Sequence, residues 1–398
     1  MTYDLGGLAN CHSHVFHRAL RGRTHGGGGT FWTWREQMYA LAAALDPDLL
    51  FDLARATYAE MALAGVTTVG EFHYLHHTPD GRQYDDPNAM GVAAIEAARE
   101  AGIRIALLDT CYLSAGFGRE VEGVQRRYSD GDVARWAERV DALGQRYADE
   151  PRVVVGAAVH SVRAVPADQI SGVTEWATRH DAPVHVHLSE QPAENDECLA
   201  EHGVTPTELL ASHGVWAADA TAVHATHLTR DDVATLGANG AYACFCPTTE
   251  RDLADGVGPS DALRGAGAVL TLGSDSNAVI DMFEEMRAVE LDERLVSGRR
   301  GTWQPDELVR AATTDGQHSL GFTAEGDRVH VAYDSVRLAG SRPGAESIVF
   351  AAAAPDVREV VVDGRYVVTD GRHTMVDDVA GDLDHAVRAC WQRVEETQ

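Results

Sequence analysis

The 398-residue chain contains no lysine; all 33 of its Lys+Arg positions are arginine. Schiff-base catalysis, a phosphate-loop lysine and a metal bridge built on a modified lysine are therefore excluded. Six cysteines occur, at 11, 111, 198, 244, 246 and 390, and none has C-x-x-C spacing. With no disulfide framework indicated, a reduced, cytoplasmic protein is expected. The sequence has no signal peptide and no apolar run of about 18 residues, so no membrane span is expected. Positive charge is scarce as well. A formal net charge of −28 makes nucleic acid and acidic membrane surfaces poor partners.

What is present is ordinary for a large globular core: 44% hydrophobic and 24% charged residues. Eight short apolar runs recur, near Gly7–Cys11, Thr67–Phe72, Ile103–Thr110, Val153–Val159, Pro183–Leu188, Thr221–His224, Ala241–Cys246 and Val269–Gly273. Several are unbroken Val/Ala/Leu stretches, the pattern of strands buried on both faces. Between them lie helix signals. Pro47–Ala64 opens after Asp46 and closes at Gly65, Asn88–Ala101 closes at Gly102, and Asp132–Tyr147 follows a Ser-Asp-Gly turn. This alternation predicts an α/β fold, a (β/α)8 TIM-type barrel over 1–325. Beyond Arg328 the runs Val329–Val331, Ser347–Ala352, Val357–Val362 and Tyr366–Thr369 predict a small C-terminal β appendage over 326–376, with a hairpin turn at Asp363-Gly364. A terminal helix over 377–398 is expected to pack on the barrel. Arg23–Thr30, Thr78–Asn88 and Thr248–Ser260 read as loops after strand ends, and Gly26–Gly29 as a moving lid.

Chemistry-bearing residues gather at the strand ends. His12-Ser-His14 closes the first run, and residues i and i+2 of an extended segment point to one side. His185-Val-His187 closes the fifth, with Glu190 three residues on. A metal ligand followed by a carboxylate suits activation of water: the metal lowers the water pKa and the carboxylate carries its proton. His224-Ala-Thr-His227 follows the sixth run and Asp275 the eighth. Each group alone has an ordinary reading, as solvated or core histidines or a helix-capping acid. Together they place His or Asp on four rims of one barrel. A sulfur-free His/Asp set suits Zn²⁺, Fe²⁺ or Mn²⁺, with zinc the default for hydrolysis.

The order His12-x-His14, His187, His224, Asp275 resembles the amidohydrolase superfamily. Finer segments, Phe31-Trp-Thr-Trp-Arg35-Glu36, Glu71-Phe-His73-Tyr74-Leu-His76-His77, His160-Ser-Val-Arg163 and Cys246-Pro-Thr-Thr-Glu250, resemble its formimidoylglutamate deiminases of histidine degradation. The resemblance implies hydrolysis of N-formimino-L-glutamate to N-formyl-L-glutamate and ammonia on one divalent metal, zinc by default. It implies His12, His14, His187 and Asp275 as metal ligands, and Glu190 and His224 as catalytic, with Asp275 sharing the water's proton. His224 would stabilise developing charge or orient the attacking water. Arg35, Tyr74, His160 and Arg163 would hold the substrate. Where some relatives carry Gln, this chain has His17, a substrate-side position that gains a titratable group. Lacking lysine, the chain fits the mononuclear subtype.

The charge balance bears on the same substrate. A strongly acidic protein repels a dicarboxylate, so local arginines must reverse the field, and Arg35 and Arg163 have forks suited to carboxylates. Each also has a plainer reading, a helix-start pair with Glu36 or a surface loop cation. Trp32 reads as a packing aromatic. The rival functions are a related deaminase acting on a purine, pterin or S-adenosyl compound, and a non-catalytic barrel that binds small acids. A homodimer is the expected assembly.

Overall fold

Unbroken apolar runs lose least when both faces of a strand are covered. The computed structural model, which describes residues 2–26 and 31–397 and only the backbone of Phe31 and Trp32, places them in that way. Among the described residues, β2 (Leu8–Ser13), β3 (Val66–His73), β4 (Arg104–Cys111), β5 (Val153–Val159), β6 (Val184–Leu188), β7 (Ala220–His224), β8 (Tyr242–Phe245) and β9 (Val269–Leu272) form one parallel sheet in sequential order. Every residue of β3 and β4 is buried. The intervening helices start and stop on the signals in the sequence. Asp46 caps Pro47–Leu63 by accepting from the Leu49 N–H, and Asp132 caps Val133–Tyr147 by accepting from that of Arg135. Gly102, in the left-handed conformation, ends Ala89–Ala101.

The barrel closes where β9 returns to β2. Ser13 and Asp275 form a parallel bridge, the Asp275 N–H donates to the His12 carbonyl at 2.9 Å, and the His14 N–H donates to the Asp275 carbonyl at 3.0 Å. Side chains lock the same seam. Asn10 Nδ2 donates to Ser274 Oγ at 2.7 Å while its Oδ1 accepts from the Ser274 N–H, and Asn277 Nδ2 donates to Ser13 Oγ and the His14 carbonyl. All of these residues are buried.

The second sheet is antiparallel, with β1 (Thr2–Gly6), β10 (Arg328–Ala332), β11 (Val357–Val362), β12 (Arg365–Thr369) and β13 (Arg372–His373) in that order. It therefore draws its first strand from the N-terminus, which the β-rich composition after Arg328 did not reveal. Asp363 and Gly364, both with positive φ, turn β11 into β12. Ser347–Ala352, expected as β, is helical over Ala345–Ala351. A short apolar run reads alike for a buried strand and a buried helical turn. Here β10 pairs directly with β11, which leaves no strand position between them. Within the expected loop Thr248–Ser260, Pro247–Leu253 is a short helix with Pro at its start. The Gly26–Gly29 lid falls largely on residues 27–30, outside the described residues. The helix Val379–Thr397 docks through Trp391, whose Nε1 donates to the Ala19 carbonyl at 2.8 Å. Among the described residues no helix is long and apolar enough to cross a membrane.

The seam leaves no room at Gly273. A Cβ there would lie 2.8 Å from the His12 nitrogen and 2.9 Å from the His12 carbonyl oxygen, both backbone atoms. Gly273→Ala must push β9 from β2, and overpacking of this kind costs about 1–3 kcal/mol. A lower urea midpoint with an unchanged m-value is expected; an unchanged midpoint would show that the seam yields.

Candidate active site

The seam brings residues from the two ends of the barrel sequence to one point. His12 Nε2 and His14 Nε2 each lie 3.4 Å from Asp275 Oδ1, and His12 Nε2 lies 3.1 Å from His187 Nε2. His14 Nδ1–H donates to the Phe72 carbonyl at 3.0 Å and His187 Nδ1–H to the His160 carbonyl at 2.9 Å. Those bonds fix the tautomer, so both Nε2 atoms turn lone pairs into the cluster. Lone pairs of buried imidazoles converging beside a carboxylate repel one another unless a cation lies among them. The donor set fits a divalent metal ion, with no sulfur in it.

Electrostatics agree with that geometry. Burial pulls His12 down to about 3, and burial also holds His14 and His187 below the ordinary imidazole range, so all three are neutral. Burial alone would raise Asp275, but the His12, His224 and His14 rings beside it hold it well below the usual carboxylate range. Ser189, His224, Ala225, Asp275 and Asn277, all non-glycine residues at this rim, have φ of 51°, 68°, 50°, 44° and 55°. Left-handed backbone costs about 1–3 kcal/mol at such positions, and such strain clusters at functional sites.

Glu190 and His224 line the pocket above the cluster, and His224 Nε2 lies 3.9 Å from Asp275 Oδ2. Burial raises Glu190 above the ordinary carboxylate range, His224 pulls it back, and Asp275 adds to the rise. Burial acts to lower His224, but Glu190, Glu250 and Asp275 together raise it well above the usual imidazole value. Glu250 Oε1 lies 3.4 Å from His224 Nδ1 and accepts from the Cys246 N–H at 2.8 Å.

The outer wall holds the remaining expected residues. Tyr74 Oη is hydrogen-bonded to His17 Nε2 at 3.1 Å, and the His160 ring packs edge-on against Tyr112. Arg163 Nε donates to Glu194 at 2.7 Å, and Glu194 is itself fixed by the Ser189 N–H. Arg35 donates through Nε to Tyr39 Oη at 2.9 Å and lies over the Tyr39 ring. The same pocket is thus lined by His14, His187 and Asp275 and by two guanidinium groups. Two further histidines of the strand-end motifs stay outside the cluster. His185 donates to the Ser319 carbonyl and His227 to the Asp255 carbonyl. The Trp32 side chain lies outside the described residues.

Three carboxylates escaped the reading of the sequence: Glu194 behind Arg163, Glu250 behind His224, and Asp255. Asp255 is buried, accepts from Gln191 Nε2, and is pushed up to about 8 by burial and by Glu190. Glu250 stood in the Cys246-Pro-Thr-Thr-Glu250 segment, but only its nearness to His224 gives it a part.

Residues 5–367 match the model of the amidohydrolase family. The chain belongs to that family. This amidohydrolase is 37% identical over 388 residues to the formimidoylglutamate deiminase of Pseudomonas aeruginosa, covering 91% of this chain and 83% of that protein. It is 27% identical over 395 residues to the 5-methylthioadenosine/S-adenosylhomocysteine deaminase of Halobacterium salinarum, covering 96% and 85%. The crystal structure of an amidohydrolase from Brucella melitensis superimposes with a TM-score of 0.88 at 32% identity, covering 99% of this chain and 89% of that one. The chain is a metal-dependent hydrolase of this family.

Because three carboxylates raise His224, its proton stabilises the fold fully below the ordinary imidazole value, and that contribution is lost as pH rises through the raised folded value. Glu250→Gln keeps the acceptor for the Cys246 N–H and removes one charge. His224 should then titrate at lower pH, read by NMR of the metal-free protein; an unchanged or higher value would remove Glu250 from its surroundings.

Proposed function

We propose that this amidohydrolase is a formimidoylglutamate deiminase, hydrolysing N-formimino-L-glutamate to N-formyl-L-glutamate and ammonia. The observation that carries the reading is the lining of the pocket: in an acidic protein, Arg35 and Arg163 line the same pocket as His14, His187 and Asp275. A substrate that carries both an amidine and carboxylates matches that pairing of a metal-type donor cluster with two guanidinium groups. The 37% identity to the named deiminase supports the same reading.

His12, His14, His187 and Asp275 would hold one ion, zinc by default. When bound, it supplies a polarised water at neutral pH. Glu190, raised by burial, is placed to take a proton from the water that adds to the formimino carbon. Protonated His224 faces the developing charge. Glu190 would give that proton to the terminal =NH nitrogen, then carry the proton of the new hydroxyl to the same nitrogen, so that both protons of the water end on it. The C–N bond breaks with ammonia leaving, the carbonyl of the formyl group remains, and Glu190 returns to its carboxylate form. Tyr74, His17 and His160 line the middle of the pocket and orient the chain of the substrate.

The direct test is ammonia release from N-formimino-L-glutamate, with and without chelator, beside elemental analysis. About one metal per chain and chelator-sensitive release are expected. Turnover of 5-methylthioadenosine with none of the amidine, or two metals per chain, would overturn the reading. Glu190→Gln should keep the metal and lose about 10³-fold or more in kcat.

Arg163→Met and Arg35→Met should each lower kcat/KM by about 30-fold or more, since a charge-assisted partner at a desolvated site is worth roughly 2–5 kcal/mol. Arg163→Met also strips Glu194 of its partner. The double variant Arg163→Met/Glu194→Gln separates the two effects and should show the same loss with better stability. Full activity in both arginine variants would exclude the dicarboxylate.

A further inference from the structure

Arg35 and Arg163 are not the only donors at the mouth of the pocket. The short 3-10 helix Gly123–Tyr128, which follows β4, brings the buried side chain of Gln125 between two tyrosines that line the cavity, Tyr39 and Tyr112. Gln125 Nε2 lies 2.8 Å from Tyr112 Oη and 3.3 Å from Tyr39 Oη. The orientation of the amide is fixed by its other end, where Oε1 accepts from the Glu122 N–H at 3.4 Å. Nε2, with its two hydrogens, must therefore face the phenols.

A phenol oxygen that accepts from an amide cannot return its own proton to that amide. Tyr39 Oη also accepts from Arg35 Nε and Nη2, at 2.9 and 2.5 Å, and a guanidinium accepts nothing. Among the described residues neither hydroxyl donates a hydrogen bond within the protein beyond these contacts. The two phenol protons are left to turn toward the cavity. Burial raises Tyr112 far above its ordinary value, so its hydroxyl keeps that proton throughout the working range of pH.

We propose that Gln125 sets Tyr39 and Tyr112 as hydrogen-bond donors into the pocket, and that these hydroxyls complete, with Arg35 and Arg163, a receptor for a carboxylate of the substrate. This rests on the dicarboxylate reading of the same pocket and names further groups that read the anion. Arginine provides charge, and the phenols provide direction. A neutral heterocycle in the same place would meet donors only where it needs acceptors as well, so the arrangement selects against it.

Calorimetric titration of the metal-loaded protein with glutarate, a dicarboxylate with no amidine, tests the receptor apart from the reaction. Tyr39→Phe and Tyr112→Phe each remove one oxygen and keep the ring. Each should weaken glutarate about tenfold or more, since hydrogen bonds to charged groups lie at the strong end of the range. The same variants should raise KM for N-formimino-L-glutamate with a much smaller change in kcat. Gln125→Glu turns the donor into an acceptor that claims both phenol protons, and should weaken glutarate about tenfold or more. In the Tyr39→Phe/Tyr112→Phe background that loss should shrink below about threefold, whereas simple charge repulsion would persist undiminished. Failure of the unaltered protein to bind glutarate, binding by the Phe variants within twofold of it, or a persistent Gln125→Glu loss, overturns the inference. If glutarate binding depends on these residues but no ammonia is released from N-formimino-L-glutamate, the deiminase reading fails and the receptor stands. If ammonia is released and the Phe variants behave as the parent, the receptor fails and the deiminase reading stands.

Discussion

Everything at the floor of the pocket depends on how β9 is joined to β2. Seven of the eight strand pairings run between neighbours in the sequence. The eighth is short, and it places Asp275 against His12 and His14 through two main-chain hydrogen bonds. A shift of one residue there would turn the carboxylate away from both imidazoles. The Asn10–Ser274 and Asn277–Ser13 bonds oppose such a shift, and Gly273 permits the close approach. The meeting of His12 and His14 with Asp275 and the lowered pKa of Asp275 follow from that contact, while the neutral state of the histidines follows from burial.

Much of this was legible in the sequence for a simple reason. Strands buried on both faces must be apolar throughout, so the eight runs stood out, and a polar residue at the end of such a run has few structural reasons to be there. His12, His14, His187 and Asp275 stood among those strand-end residues, and the resemblance to the amidohydrolases singled them out; the structure brings all four within one cluster. Ser347–Ala352 was misread because a six-residue apolar run carries no period long enough to separate helix from strand. The N-terminal strand Thr2–Gly6 was hidden because a single five-residue segment announces a sheet only through its partner, which lies more than 300 residues on.

Glu194, Glu250 and Gln125 were illegible for a different cause. Their importance lies in what they touch. An acidic chain with 61 Asp and Glu gives no means of telling a carboxylate that steadies Arg163 from one that faces water. Once the fold is known, burial sets them apart from the acids that face water: Glu194 and Glu250 are both buried and paired. The same sorting explains how so acidic a protein can receive an anion. Its negative charge is spread over the outside, and the cationic groups that matter are pinned at one opening.

The antiparallel sheet ties the two ends of the chain together, since β1 pairs along its length with β10. β1 passes through Gly7 alone into β2, the strand that carries His12 and His14. That strand pairs early with β3 on one side, yet Ser274, the partner of Asn10, lies 264 residues further on, and β10 further still. β1 and the other edge of β2 therefore have no strand partner until those distant segments are in place. Such long-range pairing slows folding and leaves an apolar edge exposed meanwhile.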